Sequence, residues 1–204
     1  LRNRLEAGLR DSEENEQTAT VEKAIDEVDN ILRTFNAIMN LSKIQAGNAS
    51  RFEHIDVTGL LEELAELFEP AAEFEGLAFS SEIETDLSLE GDRTLIAQAI
   101  SNLMDNALKY TPEGGALTLR GRMTRKGDLE ISVTDTGPGI PAEDRERATK
   151  RFVRLEASRT QAGNGLGLAM VTAIAALHNG QLVLGDGPGE QPNPGLRAAL
   201  VFSK

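Results

Sequence analysis

The chain has 204 residues, with 21 Lys and Arg against 33 Asp and Glu, a net charge of −12. That length predicts one or two domains, and a hydrophobic share of 40% predicts a packed chain rather than a disordered one. The acidic balance argues against binding a nucleic-acid backbone, the absence of Cys removes disulfides, thiol catalysis and Cys-ligated zinc, and two His are too few for a His-rich metal site.

With 7 Phe, 1 Tyr and no Trp, the core must be aliphatic. No apolar run is long enough to span a bilayer, and no signal-peptide pattern opens the chain. The first residue is Leu1 rather than Met, so the chain reads as a piece of something longer.

Leu1, Leu5 and Leu9 mark the tail of a helix, and the polar stretch from Asp11 to Gln17 reads as a loop. From Thr18 to Ala46 there is no Gly or Pro, and Val21, Ile25, Val28, Leu32, Phe35 and Met39 form a heptad seam. Ile31, Ile38 and Ile44 widen that face, which predicts several helical neighbours, as in a four-helix bundle closed by dimerisation. Residues 1–46 are therefore expected to be a truncated helical hairpin, followed by a break at Gly47 to Ser50.

From residue 51 the pattern becomes mixed. Thr58 is expected to cap a helix over Leu60, Leu61, Leu64 and Leu67, stopped near Pro70. A first strand is expected around His54, and Leu77 to Ile83 reads as another. Asp92 caps a second helix to about Tyr110. Leu117 to Arg122 and Leu129 to Val133 alternate as two antiparallel strands. Leu166 to His178 reads as a third helix; Leu182 to Leu184 and Leu196 to Phe202 read as closing strands. The Gly- and Pro-rich stretch between those strands is a turn-rich connection. The expected fold class is α+β: a two-layer sandwich of one mostly antiparallel sheet with helices on one side, over residues 51–204.

Three clusters carry candidate chemistry. Asn102 and Asn106 lie four apart on the second helix and share a face, with Lys109 one turn further. Amides and an ammonium on an otherwise apolar helix need partners. An oxygen-bound magnesium and a phosphate would satisfy them; a solvent-exposed polar stripe is the alternative. Asp135-Thr-Gly137-Pro-Gly139 follows a strand, which sets a carboxylate at a strand end beside glycines that admit a ligand. Such a carboxylate can accept from an exocyclic amine such as that of adenine, and the same residues also suit a simple turn. Gly163-Asn-Gly165-Leu166-Gly167-Leu opens the third helix, where backbone amides can bind phosphate. It is no Walker loop, since no Lys-Ser/Thr follows. Between the second and third clusters, Arg145, Arg147, Lys150, Arg151, Arg154 and Arg159 form a basic patch that reads as a lid over polyphosphate or as a solvated helix face.

The order and spacing of these clusters resemble the ATP-binding domain of sensor histidine kinases, a fold shared with gyrase and Hsp90-type ATPases. Asn102 to Tyr110 resembles the asparagine box, Asp135 to Gly139 the first glycine box, Arg151-Phe152-Val153-Arg154 the phenylalanine box, and Gly163 to Leu168 the second glycine box. The resemblance implies Mg-ATP as ligand. Asn106 would ligate Mg²⁺ with Asn102 in support, Lys109 would contact phosphate and Tyr110 would flank adenine. Asp135 would accept from the adenine amine in a pocket shaped by Gly137 and Gly139. Gly165 and Gly167, with Leu166 between them, would lend amides to the phosphates. Phe152 would anchor the lid, and Arg154 would reach phosphate.

Hydrolytic ATPases of this fold carry Glu where this chain has Asn102, so the resemblance implies phosphoryl transfer to a side chain. The family's phosphoacceptor motif, a His followed by an acid, is absent: His54 precedes Ile55, and His178 reads as a structural helix-end residue. The fragment is thus expected to bind Mg-ATP without phosphorylating itself. The intact protein would be a homodimer, cytoplasmic in this part and anchored in the bacterial inner membrane, passing phosphate to the Asp of a response regulator. This part itself would touch neither membrane nor nucleic acid. An anti-sigma-type serine kinase and a nucleotide-gated binding module of the same fold are the competing readings.

Overall fold

The computed structural model describes residues 52–154, 165–190 and 193–203. The expected helical hairpin over 1–46 and the break after it lie outside the described residues, as do Arg159, Gly163 and Asn164. The chain runs β1 (Glu53–Asp56), α1 (Val57–Phe74), β2 (Ala78–Ile83), β3 (Ser88–Gly91), α2 (Arg93–Tyr110), β4 (Ala116–Met123) and β5 (Leu129–Asp135). It continues with α3 (Ala142–Ala148), α4 (Gly167–Leu177), β6 (Gly180–Asp186) and β7 (Leu196–Phe202).

Five strands form one sheet in the order β2-β4-β5-β7-β6, while β1 and β3 pair separately and antiparallel. Only β2 runs parallel to its neighbour; every other pairing in the sheet is antiparallel. Side chains alternate across each strand, so Leu117 and Leu119 of β4, Ile131 and Val133 of β5, and Leu200 and Phe202 of β7 share one buried face. Helices α1, α2 and α4 cover that face with Leu61, Ile100, Met104 and Ile174, among others. This is the mostly antiparallel two-layer sandwich that the alternation predicts.

Helix α1 departs from expectation at both ends. Asp56, not Thr58, is its N-cap: the Asp56 carboxylate accepts from the Gly59 N–H at 3.0 Å, the third amide of the helix. Thr58 lies inside the first turn, where its hydroxyl accepts from the Leu87 N–H and donates to the Glu84 carbonyl. The helix also runs through Pro70 to Phe74. Pro70 withholds one N–H, but Phe68 and Ala72 on either side are buried, and their packing holds the helix together across it. The buried row is 57, 60, 61, 64, 65, 68 and 72. Leu67 falls outside that row and is 66% exposed, not a core residue.

Helix α2 is capped by Asp92, whose Oδ1 accepts from the Thr94 and Leu95 amides. Helix α4 is apolar nearly all round and packs against both α2 and the sheet layer. The two helices are antiparallel. At the far end, the buried His178 that follows α4 accepts at Nε2 from the Asp92 N–H, 3.0 Å away. At the near end, Gly167 of α4 lies beside Asn102 and Asn106 of α2. That pairing carries the start of α4 into the second half of α2. Among the described residues, no helix is long and apolar enough to cross a membrane.

Candidate functional site

Ile96, Ile100, Leu103, Met104 and Ala107 bury one face of α2 and leave Asn102, Asn106, Lys109 and Tyr110 half-buried along its edge. The Asn102 amide donates to Met170 Sδ at 3.6 Å. A Cβ on Gly167 would stand 3.6 Å from Asn106 Nδ2 and 3.9 Å from Asn102 Oδ1, so the first residue of α4 rests against both amides. The Lys109 ammonium donates to the Tyr110 hydroxyl at 2.9 Å and lies 4.6 Å from that ring's centroid. The two side chains thus face one another at the last turn of the helix.

Asp135 ends β5 and is only 6% exposed. Its Oδ1 accepts two backbone N–H groups, from Gly137 at 2.8 Å and from Leu196 at 3.2 Å. Its Oδ2 accepts from no described donor, yet it is not sealed from solvent. Burial pushes this carboxyl above the ordinary Asp value, and the Gly137 and Leu196 amides pull it part of the way back. Gly137 lies where a Cβ would come within 2.8 Å of the Tyr110 carbonyl, so the turn after β5 rests on the end of α2. Gly139 has φ +73°, and a Cβ there would meet the Gly195 carbonyl at 2.5 Å.

The third cluster meets the start of the lid through backbone. The Phe152 N–H donates to the Gly165 carbonyl at 3.0 Å. Gly165 has φ +66°, and a Cβ there would crowd the Val153 carbonyl at 2.7 Å. Leu166 is buried, and no side chain caps α4, so its leading amides point outward at the positive end of the helix dipole.

The Phe152 ring is 62% exposed, and the backbone pair with Gly165 ties this residue to the third cluster. The basic patch is partly neutralised within the fold. Arg145 donates to the Ile140 carbonyl and pairs with Asp186, Arg147 pairs with Asp144, and Lys150 pairs with Glu146. Much of it is the solvated face of the short α3 and the turn after it. Arg154 is half-buried at the end of the described segment.

The clusters therefore meet at the second half of α2: the turn after Asp135 rests on its last turn, and Gly167 lies beside its two asparagines, with Gly165 against Phe152 and Val153. The Leu196 N–H, Gly195 and Met170 join them without any chemical signature in the sequence. The only hint was the Gly-Pro-rich stretch before β7. His54 stands apart on β1, exposed and 3.0 Å from the equally exposed Glu90. Among the described residues, no group of three or more His, Cys, Asp or Glu could hold a metal ion.

Residues 91–202 match the family model for histidine kinase-, DNA gyrase B- and HSP90-like ATPases. The chain belongs to that family. Over 171 residues it is 34% identical to the sensor-like histidine kinase SenX3 of Mycolicibacterium smegmatis, covering 82% of this chain and 44% of that protein. Among solved structures, a mycobacterial sensor histidine kinase, MprB, matches with a TM-score of 0.63 at 30% identity, over 74% of this chain and 96% of that one. Full-length ShkA in complex with AMPPNP matches with a TM-score of 0.73 at 26% identity, over 98% of this chain and 41% of that one. The chain spans less than half the length of the curated relatives it matches first, 20% of one and 44% of the next. The likeness identifies a catalytic domain of the sensor histidine kinase type.

Proposed function

We propose that this chain binds Mg-ATP in the site on α2 and, within the intact protein, supplies the γ-phosphoryl group to a His upstream of residue 1. An Asp of a response regulator would then take that phosphate. Residues 51–204 form the nucleotide-binding unit. Residues 1–46 belong to the hairpin through which the intact kinase dimerises, on the strength of their heptad pattern.

The residues present fit such a ligand. The observation that carries the reading is Asp135: a buried carboxylate with one oxygen fixed by two amides and the other left to accept. An exocyclic amine of adenine satisfies that oxygen. Gly137 and Gly139 keep side chains out of the approach. Tyr110 would border the base. The Asn106 carbonyl would be the chain's ligand to Mg²⁺, an ion that commonly takes few protein oxygens and completes its shell with water and phosphate. Asn102 would support Asn106, Lys109 would neutralise phosphate charge, and the uncapped amides from Gly165 to Gly167 would cradle it. Arg154 and the segment at Phe152 would close over the phosphates. Bound Mg-ATP supplies the transferable phosphoryl group; the chain's own residues bind, orient and neutralise.

Asn102 favours transfer over hydrolysis. It offers an amide, occupied with Met170, where a hydrolase of this fold needs a carboxylate to activate water.

The test is a calorimetric titration with Mg-ATP of the chain and of Asp135→Asn. The variant should bind roughly 10- to 100-fold more weakly, because an amide can turn an N–H toward the incoming amine. Equal affinities would overturn the assignment of Asp135 to the base.

A further inference from the structure

The two donors on Asp135 have different origins. The Gly137 N–H is local, whereas the Leu196 N–H comes from the first residue of β7, 61 positions along the chain. The connection from β6 to β7 delivers it. Gly195 has φ +73°, and any Cβ there would overlap the Asp135 carbonyl. A Cβ on Gly187 would stand 2.6 Å from the same carbonyl oxygen. The Gly195 N–H donates to the Gly137 carbonyl at 2.9 Å, and the Gly187 N–H donates to the Gly195 carbonyl at 3.2 Å. Backbone thus lies directly on backbone, with glycine at each point of approach. Gly187 and Gly195 carry no side chain that could signal this in the sequence, so their stretch reads only as a turn.

We propose that the Leu196 N–H is a positioning group for base recognition. With Gly137 it fixes Oδ1 of Asp135 so that Oδ2 alone is presented, as an acceptor, to the amine of the base. The β6–β7 connection thereby sets discrimination between a purine with an exocyclic amine and one with a carbonyl in its place. This rests on the nucleotide-binding reading above. A carboxylate held by one donor can rotate and share its oxygens. It then reads an amine less selectively without closing the pocket.

Leu196→Pro removes this N–H at the first residue of a strand, a position proline tolerates. Replacing Leu196 by its α-hydroxy acid, which converts the amide to an ester, removes the N–H with the side chain kept. Leu196→Ala keeps the N–H and trims the side chain. Each chain is titrated with Mg-ATP and with Mg-ITP, whose base carries a carbonyl for the amine. The wild type should prefer ATP. The proline and ester variants should lose about tenfold in ATP affinity with little change for ITP, so their preference collapses by about the same factor. The alanine variant should keep it. A general loosening of the fold would weaken both nucleotides alike, and that result overturns the proposal. So does an ester variant with the wild-type preference, which is the deciding measurement if the proline variant does not fold. So does a wild type that binds both nucleotides equally. A wild type that binds neither overturns the nucleotide reading itself, and this proposal with it.

Discussion

His178 offers the most quantitative test of how the site is held. Its ring is 4% exposed, stacked on Phe52 at 4.9 Å and edge-on to Phe202 at 6.5 Å. Nε2 accepts from the Asp92 N–H at 3.0 Å, so the ring hydrogen sits on Nδ1, which donates to the Ile174 carbonyl at 2.7 Å. His178→Phe keeps an aromatic ring and removes both bonds. The Asp92 N–H loses the imidazole acceptor, which costs about 1–3 kcal/mol for a part-buried donor. The Ile174 carbonyl still accepts the His178 backbone N–H at 3.2 Å, so losing the ring donor costs only about 0.5–1.5 kcal/mol. The more apolar phenyl ring returns part of this, on the order of 1 kcal/mol.

The net loss is about 1–3 kcal/mol. With a urea m-value of about 1–3 kcal/mol/M, the midpoint should fall by roughly 1 M. The chain has no Trp, so the transition is followed by circular dichroism of the helices. Mg-ATP affinity should stay within about threefold, because the ring stands at the end of α4 opposite Gly167. A midpoint unchanged within error would refute the hydrogen-bond argument. Intact stability with lost nucleotide binding would refute the view that His178 is a strut.

Glu130 sits between two guanidinium groups, 2.8 Å from Arg122 and 2.7 Å from Arg197. Burial opposes its charge, but the two arginines outweigh it and hold the carboxyl below the ordinary Glu value. A depressed pKa gives stability that is full above the unfolded value and lost as pH falls through the folded one. Glu130→Gln should cost about 1–2 kcal/mol at neutral pH in denaturant melts, the arginines being partly solvated, and the cost should shrink in acid. Asp135 is shifted the other way by burial, so Mg-ATP affinity in calorimetry should fall as pH drops through a pKa raised above the ordinary Asp value. Gly121→Ala would set a Cβ into Leu61 Cδ1 and 3.0 Å from Leu87 Cδ1, and overpacking there should cost about 1–3 kcal/mol in the same melts. Phe74 is 89% exposed, and Phe74→Gln should leave the midpoint within about 0.5 kcal/mol of wild type.

What was legible in the sequence was periodic or local. Helix α2 showed its Asp92 cap and its apolar face, β4 and β5 showed period-two alternation, and the asparagines and glycines of the site stood in recognisable spacings. What was not legible depended on competition or on distant backbone. Asp56 and Thr58 could each cap α1, and the outcome turned on Leu87, whose amide claims the Thr58 hydroxyl. Pro70 looked like a stop because its neighbours' burial against the sheet cannot be read locally. Strand β3 has four residues and one half-buried apolar side chain, too little for a pattern. The Leu196 N–H is invisible for a deeper reason: a backbone donor has no residue identity. Only the packing of Gly195 on Asp135 reveals it.

The site has two ends that the fold supports differently. Asp135 belongs to the sheet, its carboxylate fixed by amides from the turn after β5 and the start of β7. Its position therefore persists as long as the central strands stay paired. The opposite end rests on the start of α4, on Gly165 and on a backbone pairing with Phe152, whose ring is largely exposed. Antiparallel packing joins the two ends. The His178–Asp92 bond ties one end of α4 to the start of α2, while Gly167 at the other end rests against Asn102 and Asn106 through its own packing. A sliding of α4 on α2 would move the amides proposed to face phosphate while leaving Asp135 in place. On the proposed nucleotide reading, base recognition would fall to the sheet half of the site. Phosphate positioning would then fall to the half that packs through Gly165 and Gly167.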